Sequence, residues 1–320
     1  MAGRPFTPRR SPPPSASRAF PIGGILLALV ALLLPAGCAT RRPAGPAGAP
    51  IVVAASIDTW GSILAQLGGS RVRASSIIAS PATDPHDYEP TPADARLIAD
   101  AAVFVYNGVG YDSWATKAVR ADPEAGRQVV DVGRLTGTPA DGNPHRWYDP
   151  ADVRTVADAI TAALERADPA DAGYFDTLHS RWLGTALAGY HQLLAGIRAR
   201  FAGTPVAASE SVFSPLAQAL GLNLVTPAGL LRAVSEGSEP STADKARVDR
   251  QLSRREVKVY VFNSQNATPD VTAQVHTAER AGIPVVAVTE TLTPEGTSFQ
   301  DWQSGQLRQL QAALARATGR

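Results

Sequence analysis

Cysteine is nearly absent: the 320 residues contain one, Cys38. That excludes an internal disulfide and a thiolate metal cluster, so any metal chemistry must use imidazole and carboxylate. Basic excess is missing too. The net charge is +1, and Arg4, Arg9, Arg10 and Arg18 precede Cys38 with no acid among them, so removing these four charges leaves −3 from Cys38 onward. A nucleic-acid partner is not expected on that balance. HExxH and GxSxG motifs are absent, and no internal repeat or low-complexity segment follows position 50. The residues that are present are 44% hydrophobic, enough to bury one large or two medium domains.

Ten of the 26 prolines fall in the first 50 residues, so the composition changes there. Arg9, Arg10 and Arg18 precede an uncharged run from Ile22 to Leu34, followed by Ala36, Gly37 and Cys38. Such a run spans about 20 Å as a helix, short of the ~30 Å hydrocarbon core, and the layout is that of a secretory signal. Its end resembles a bacterial lipoprotein signal. Residues 1–37 are therefore expected to be removed, Cys38 to carry lipid and anchor the chain to the membrane, and residues 38–50, rich in Pro and Gly, to form a flexible tether.

From Ile51 short β-branched runs alternate with amphipathic stretches. Strands are predicted at Ile51 to Ala55, Val72 to Ile78, Val103 to Tyr106 and Val129 to Val132, then at Val206 to Ala208, Val257 to Phe262 and Pro284 to Val288. Alternation of this kind predicts an α/β fold with parallel sheets. One stretch breaks the rhythm. From Asp171 to Phe201 proline is absent, and Tyr174, Leu178, Trp182, Leu187, Tyr190, Leu194, Ile197 and Phe201 recur at helical spacing. The expectation is two lobes, 51–168 and 204–320, joined by a backbone helix over 169–203. Gly184 and Gly189 leave open a pair of consecutive helices instead.

In open parallel sheets ligands bind beyond the carboxyl ends of strands. Four ionisable groups stand at such ends: His86 in DPHDYEPTPAD, His145 in GNPHRWYDP, Glu210 in SESVF and Glu290 in TETL. Two neutral imidazoles and two carboxylates neutralise a divalent cation, and these donors suit Zn²⁺ and other first-row metals. Thr91-Pro92-Ala93-Asp94, Asp149-Pro150-Ala151-Asp152 and Ser241 with Asp244 read as helix caps. His179 and His191 are expected to be exposed on the linking helix, and His276 to lie on another helix away from the site.

These segments resemble the metal-binding extracytoplasmic proteins of ABC importers for zinc and manganese. The pieces that carry the resemblance are Asp84 to Pro92, Pro144 to Pro150, the Asn107-Gly108 turn and Thr289 to Leu292, and it covers about residues 51–318. It implies two α/β lobes around a backbone helix and a metal site in the interlobe cleft. His86 and His145 match the two histidine positions. Glu210 takes a position that is histidine in many zinc proteins and glutamate in manganese proteins, and Glu290 replaces the usual aspartate. The His-rich loop of many zinc-specific members is missing, since residues 110–144 contain no histidine. The implied role is capture of Zn²⁺ or Mn²⁺ by a monomer and delivery to a membrane permease, without enzymatic activity. Two other readings stay open: an exported metal-dependent hydrolase, and a protein of the same architecture that binds a siderophore, haem or corrinoid.

Overall fold

The computed structural model describes residues 49–83, 88–123 and 126–320. The expected export segment, Cys38 and the His86 position lie outside them. The described chain begins with β1 (Ile51–Ile57), α1 (Asp58–Gly68), β2 (Val72–Ile78), α2 (Pro92–Asp100), β3 (Val103–Tyr106) and α3 (Ser113–Ala121). It continues with β4 (Gln128–Asp131), the short α4 (Val132–Leu135) and α5 (Pro150–Ala167). The four strands form one parallel sheet in the order β2-β1-β3-β4.

Two helices then lead to the second lobe, α6 (Ala172–Arg181) and α7 (Ala188–Phe201). The predicted backbone helix is thus a helical path with a π turn in its middle, Trp182–Ala186, closed by a bond from Leu187 N–H to the Trp182 carbonyl at 3.0 Å. The i→i+5 bond of such a turn accounts for the five-residue step between Trp182 and Leu187 in the apolar pattern.

The second lobe contains β5 (Pro205–Ala208), α8 (Ser214–Ala219), β6 (Asn223–Leu224), α9 (Ala228–Ser235) and α10 (Thr242–Ser253). It ends with β7 (Val259–Asn263), α11 (Pro269–Arg280), β8 (Val285–Val288) and α12 (Phe299–Thr318). Its sheet is also parallel, in the order β6-β5-β7-β8, which repeats the topology of the first. The strand order reverses between β1 and β3 in one sheet and between β5 and β7 in the other. Crevices at the carboxyl ends of strands open at such switch points.

Local chemistry fixes the helix starts. Thr91 and Asp94 form a reciprocal capping box with Pro92 at the first helical position. Asp149 before Pro150 accepts from Ala151 N–H, and Ser241 accepts from Asp244 N–H. Each cap contributes about 1 kcal/mol.

One apolar cluster runs through both lobes. Trp60 on α1 packs edge-on to Trp147 at 6.2 Å, and Tyr148 meets Trp302 of α12 at 5.7 Å. Phe299, at the start of α12, touches Trp182 and Tyr190 of the linking path. The Phe299 N–H also donates to Ser62 Oγ of α1 at 3.0 Å. α12 therefore grips the first lobe as well as the second. A core shared by the two sheets resists wide hinge opening, because separating them would expose several fully buried aromatics at roughly 1.5–3 kcal/mol each.

Candidate metal centre

His145, Glu210 and Glu290 converge. Their candidate ligand atoms all lie within 4.8 Å of one another, and all three residues are buried. Glu210 follows β5 and Glu290 follows β8, as the strand-end argument requires, while His145 comes from the long segment between α4 and α5. His86 lies outside the described residues. The other three histidines are elsewhere: His179 is half-buried against Asp158 at 2.7 Å, and His191 and His276 are exposed on their helices.

The imidazole is held from behind. Asn143 Nδ2 donates to the Ser211 carbonyl at 2.7 Å, which leaves Asn143 Oδ1 as an acceptor for His145 N–H and for His145 Nδ1, both at 2.9 Å. Because a carbonyl oxygen only accepts, a proton sits on Nδ1, and Nε2 is the ring nitrogen that faces the carboxylates. Nε2 lies 3.4 Å from Glu290 Oε2. Trp147 stands edge-on to the ring at 5.5 Å. Asn107 supports the same segment: its Nδ2 donates to the Pro144 carbonyl at 2.8 Å and its Oδ1 accepts from Trp60 Nε1 at 3.1 Å. Gly108 completes this turn at φ 72°, where an added Cβ would come within 2.7 Å of Asp131 Oδ1. Asp112 accepts from the Asn107 and Gly108 N–H groups, and burial raises its pKa to about 6.

The two glutamates are bound by carboxamides and a phenol. Asn263 Nδ2 donates to Glu210 Oε1 and to Glu290 Oε1, each at 2.7 Å. Asn266 Nδ2 donates to Glu210 Oε2 at 2.9 Å, and the Tyr111 hydroxyl to Glu290 Oε2 at 2.9 Å. The backbone that carries Glu290 is pinned as well. Gln265 Oε1 accepts from the N–H groups of Glu290 and Thr291, Trp302 Nε1 donates to Thr289 Oγ1, and Leu292 N–H donates to Asp58 Oδ2 at 3.0 Å. Gln265 Nε2 reaches the other lobe at the Pro81 carbonyl, 3.1 Å away.

None of Asn143, Asn263, Gln265, Asn266 or Tyr111 was picked out from sequence. Their side chains are neutral, whereas a charge at a strand end is what stands out in the sequence. The end of β7 was nevertheless a strand end, and Asn263-Ser264-Gln265-Asn266 stands on it.

A cavity of about 910 Å³ lies between the lobes, lined by Tyr111, Asn143 and Pro144 on one side and Ser211, Ser235 and Asn266 on the other. The three converging donors sit just behind this wall rather than on it. A small ion that strips its water fits such an arrangement better than a large organic solute.

Two parallel α/β sheets with a buried His-Glu-Glu cluster behind the cleft between them define a two-lobe α/β protein. The family whose model matches residues 53–313 is described as "Zinc-uptake complex component A periplasmic", and the chain belongs to it. The chain is 29% identical over 145 residues to the manganese-binding lipoprotein MntA of Halalkalibacterium halodurans, covering 44% of this chain and 48% of that one. It is 25% identical over 241 residues to the high-affinity zinc uptake system protein ZnuA of Bacillus subtilis, covering 69% and 72%. The chain thus spans about half the length of the first of these relatives. Among solved structures, a Mn-bound variant of a periplasmic metal binding protein from Candidatus Liberibacter asiaticus superposes with a TM-score of 0.67 at 18% identity, over 82% of this chain and 99% of that one. That likeness establishes the fold.

Proposed function

We propose that this protein captures a divalent transition metal ion, Zn²⁺ or Mn²⁺, outside the cell membrane and hands it to the permease of an ABC importer. The observation that carries the reading is the buried convergence of His145, Glu210 and Glu290 from separate segments of both lobes. His86 is assigned as the fourth ligand from its place after β2 and its match to the family pattern. Two imidazoles and two carboxylates cancel a divalent charge, and thiolate has no part in the site. The family's description as an uptake component and the printed roles of the manganese and zinc relatives support the same assignment.

Release to the permease requires only a local change. The shared aromatic core keeps the lobes together, so opening is confined to loops at the cleft, such as the cross-lobe contacts of Asn143 and Gln265. We assign the chain to the extracytoplasmic side, as a monomer tethered by lipid on Cys38; the lipoprotein relative and the signal-like run before Cys38 support this. Among the described residues no helix is long and apolar enough to cross a membrane. A catalytic metal site keeps a position open for water, and a full set of four protein ligands leaves none, which sets the hydrolase reading aside.

A competition titration with Zn²⁺ and Mn²⁺ on the wild type, His86→Ala and His145→Ala tests the assignment. Each substitution is expected to weaken binding at least a hundredfold, on the order of one lost ligand bond. Unchanged affinity in both variants would sink the proposal.

A further inference from the structure

We propose that Asn263 is a positioning residue that fixes the spacing of Glu210 and Glu290 and thereby sets how strongly the site prefers Zn²⁺ over Mn²⁺. This rests on the metal-site reading above. β7 lies between β5 and β8 in the sheet, so its last residue is the neighbour of both strand ends that lead into the glutamates. Asn263 is fully buried there. A carboxamide nitrogen carries two hydrogens, and Asn263 gives one to each glutamate at 2.7 Å. The two Oε1 atoms are therefore no more than twice 2.7 Å apart.

The amide cannot turn over. Its Oδ1 accepts from Gln265 N–H at 3.0 Å, and its own backbone N–H is held by Ser209 Oγ at 3.1 Å. A flipped amide would lose the Gln265 bond and face two carboxylate oxygens with an oxygen. The outer oxygens are held by Asn266 and Tyr111. All four carboxylate oxygens thus have a fixed neutral donor before any ion arrives. For a glutamate to swing round and chelate with both oxygens, one of these charge-assisted bonds must break.

The arrangement favours one oxygen from each glutamate. With His145, and with His86 as the assigned fourth ligand, that makes four donors, the number Zn²⁺ takes, whereas Mn²⁺ prefers a larger oxygen-rich shell. Asn263 is the element that couples the two carboxylates, so loosening it frees both at once.

The test is a competition titration of the full chain with Zn²⁺ and with Mn²⁺, wild type against Asn263→Leu, which removes both donors at nearly constant size. Zn²⁺ affinity is expected to fall about 10–100-fold, the usual cost of losing a group that orients a ligand. Mn²⁺ affinity should fall less, so the Zn²⁺/Mn²⁺ ratio shrinks by about tenfold. Zinc X-ray absorption should report four N/O donors in the wild type and a higher number in the variant. If the Leu protein does not fold, Asn263→Asp keeps the acceptor for Gln265 N–H and is expected to lower the ratio in the same direction. Equal loss of both ions in a folded variant, or an unchanged ratio, overturns the role of Asn263 alone. A wild type that binds neither ion overturns the metal-site reading and this inference with it.

Discussion

The Tyr111 hydroxyl donates to Glu290 Oε2 at 2.9 Å and so joins a loop after β3 in the first lobe to a loop after β8 in the second. It is a bond between residues 179 positions apart, and both partners are buried. Hydrogen bonds to a charged group contribute about 1.5–3 kcal/mol. Tyr111→Phe removes this one while keeping the ring that packs edge-on to Trp147 at 5.1 Å. We expect metal affinity to drop roughly tenfold, with the metal-free protein still folded by circular dichroism. Calorimetric titration of the two proteins measures the difference, and equal affinity would show that the bond does not orient Glu290.

Asn143 offers a sharper test, because it acts on His145 without touching the carboxylates in any contact described above. Its Oδ1 holds the Nδ1 proton and its Nδ2 holds Ser211 of the other lobe. Replacing it with leucine frees the imidazole to adopt the other tautomer and breaks a cross-lobe contact. Loss of a group that orients a metal-ligating histidine costs about 10–100-fold in affinity. Asn143→Leu is expected to fall in that range and to release metal faster in stopped-flow chelator exchange. A variant that is weaker only through slower association would contradict the orienting role.

Much of this was legible in the chain. The two sheets follow from the alternation of β-branched runs with amphipathic stretches, and β2 and β3 have the predicted bounds. β6 was not predicted because two residues, Asn223 and Leu224, give no periodicity to read. The five-residue step from Trp182 to Leu187 did carry the π turn, although its meaning needed the backbone bond. Glu210 and Glu290 were found because charge at a strand end stands out. Asn263, Asn266 and Tyr111 were not, since an amide or a phenol at a strand end or in a loop is equally at home as a turn former or a core residue. The shared core was also hidden: Trp60, Trp147 and Trp302 are far apart in sequence, and nothing local says that they meet.

Metal should stabilise the fold through mass action. A ligand that binds the native state alone adds about 4 kcal/mol when present at a thousand times its Kd. His145, Glu210 and Glu290 come together only in the folded chain, so an ion that needs all three binds the native state. Thermal unfolding in excess Zn²⁺ is expected to shift upward by roughly 8–16 °C relative to chelator-treated protein, at 2–4 °C per kcal/mol for a domain of this class. The double variant Glu210→Gln with Glu290→Gln should lose most of that shift. A shift of the same size in the double variant would place the ion elsewhere.

Asp58 makes stability depend on pH in a direction opposite to most carboxylates. It is the first residue of α1, is buried, and accepts from Leu292 N–H across the lobes. Burial raises its pKa from 3.8 to about 7, an effect that the Leu292 bond only partly offsets. Because the folded state holds this proton more tightly than the unfolded one, stability is lost as pH rises from about 4 to about 7, and the full penalty is present above that range. Three units correspond to roughly 4 kcal/mol at most, and solvent relaxation brings this nearer 2–4. Asp58→Asn keeps an acceptor for Leu292 N–H and removes the titration. Its melting temperature should therefore match the wild type below about pH 4 and exceed it increasingly up to about pH 7.5, where the gap levels off. Paired thermal melts across that range check this, and a gap that stays constant with pH would show that Asp58 does not carry the penalty.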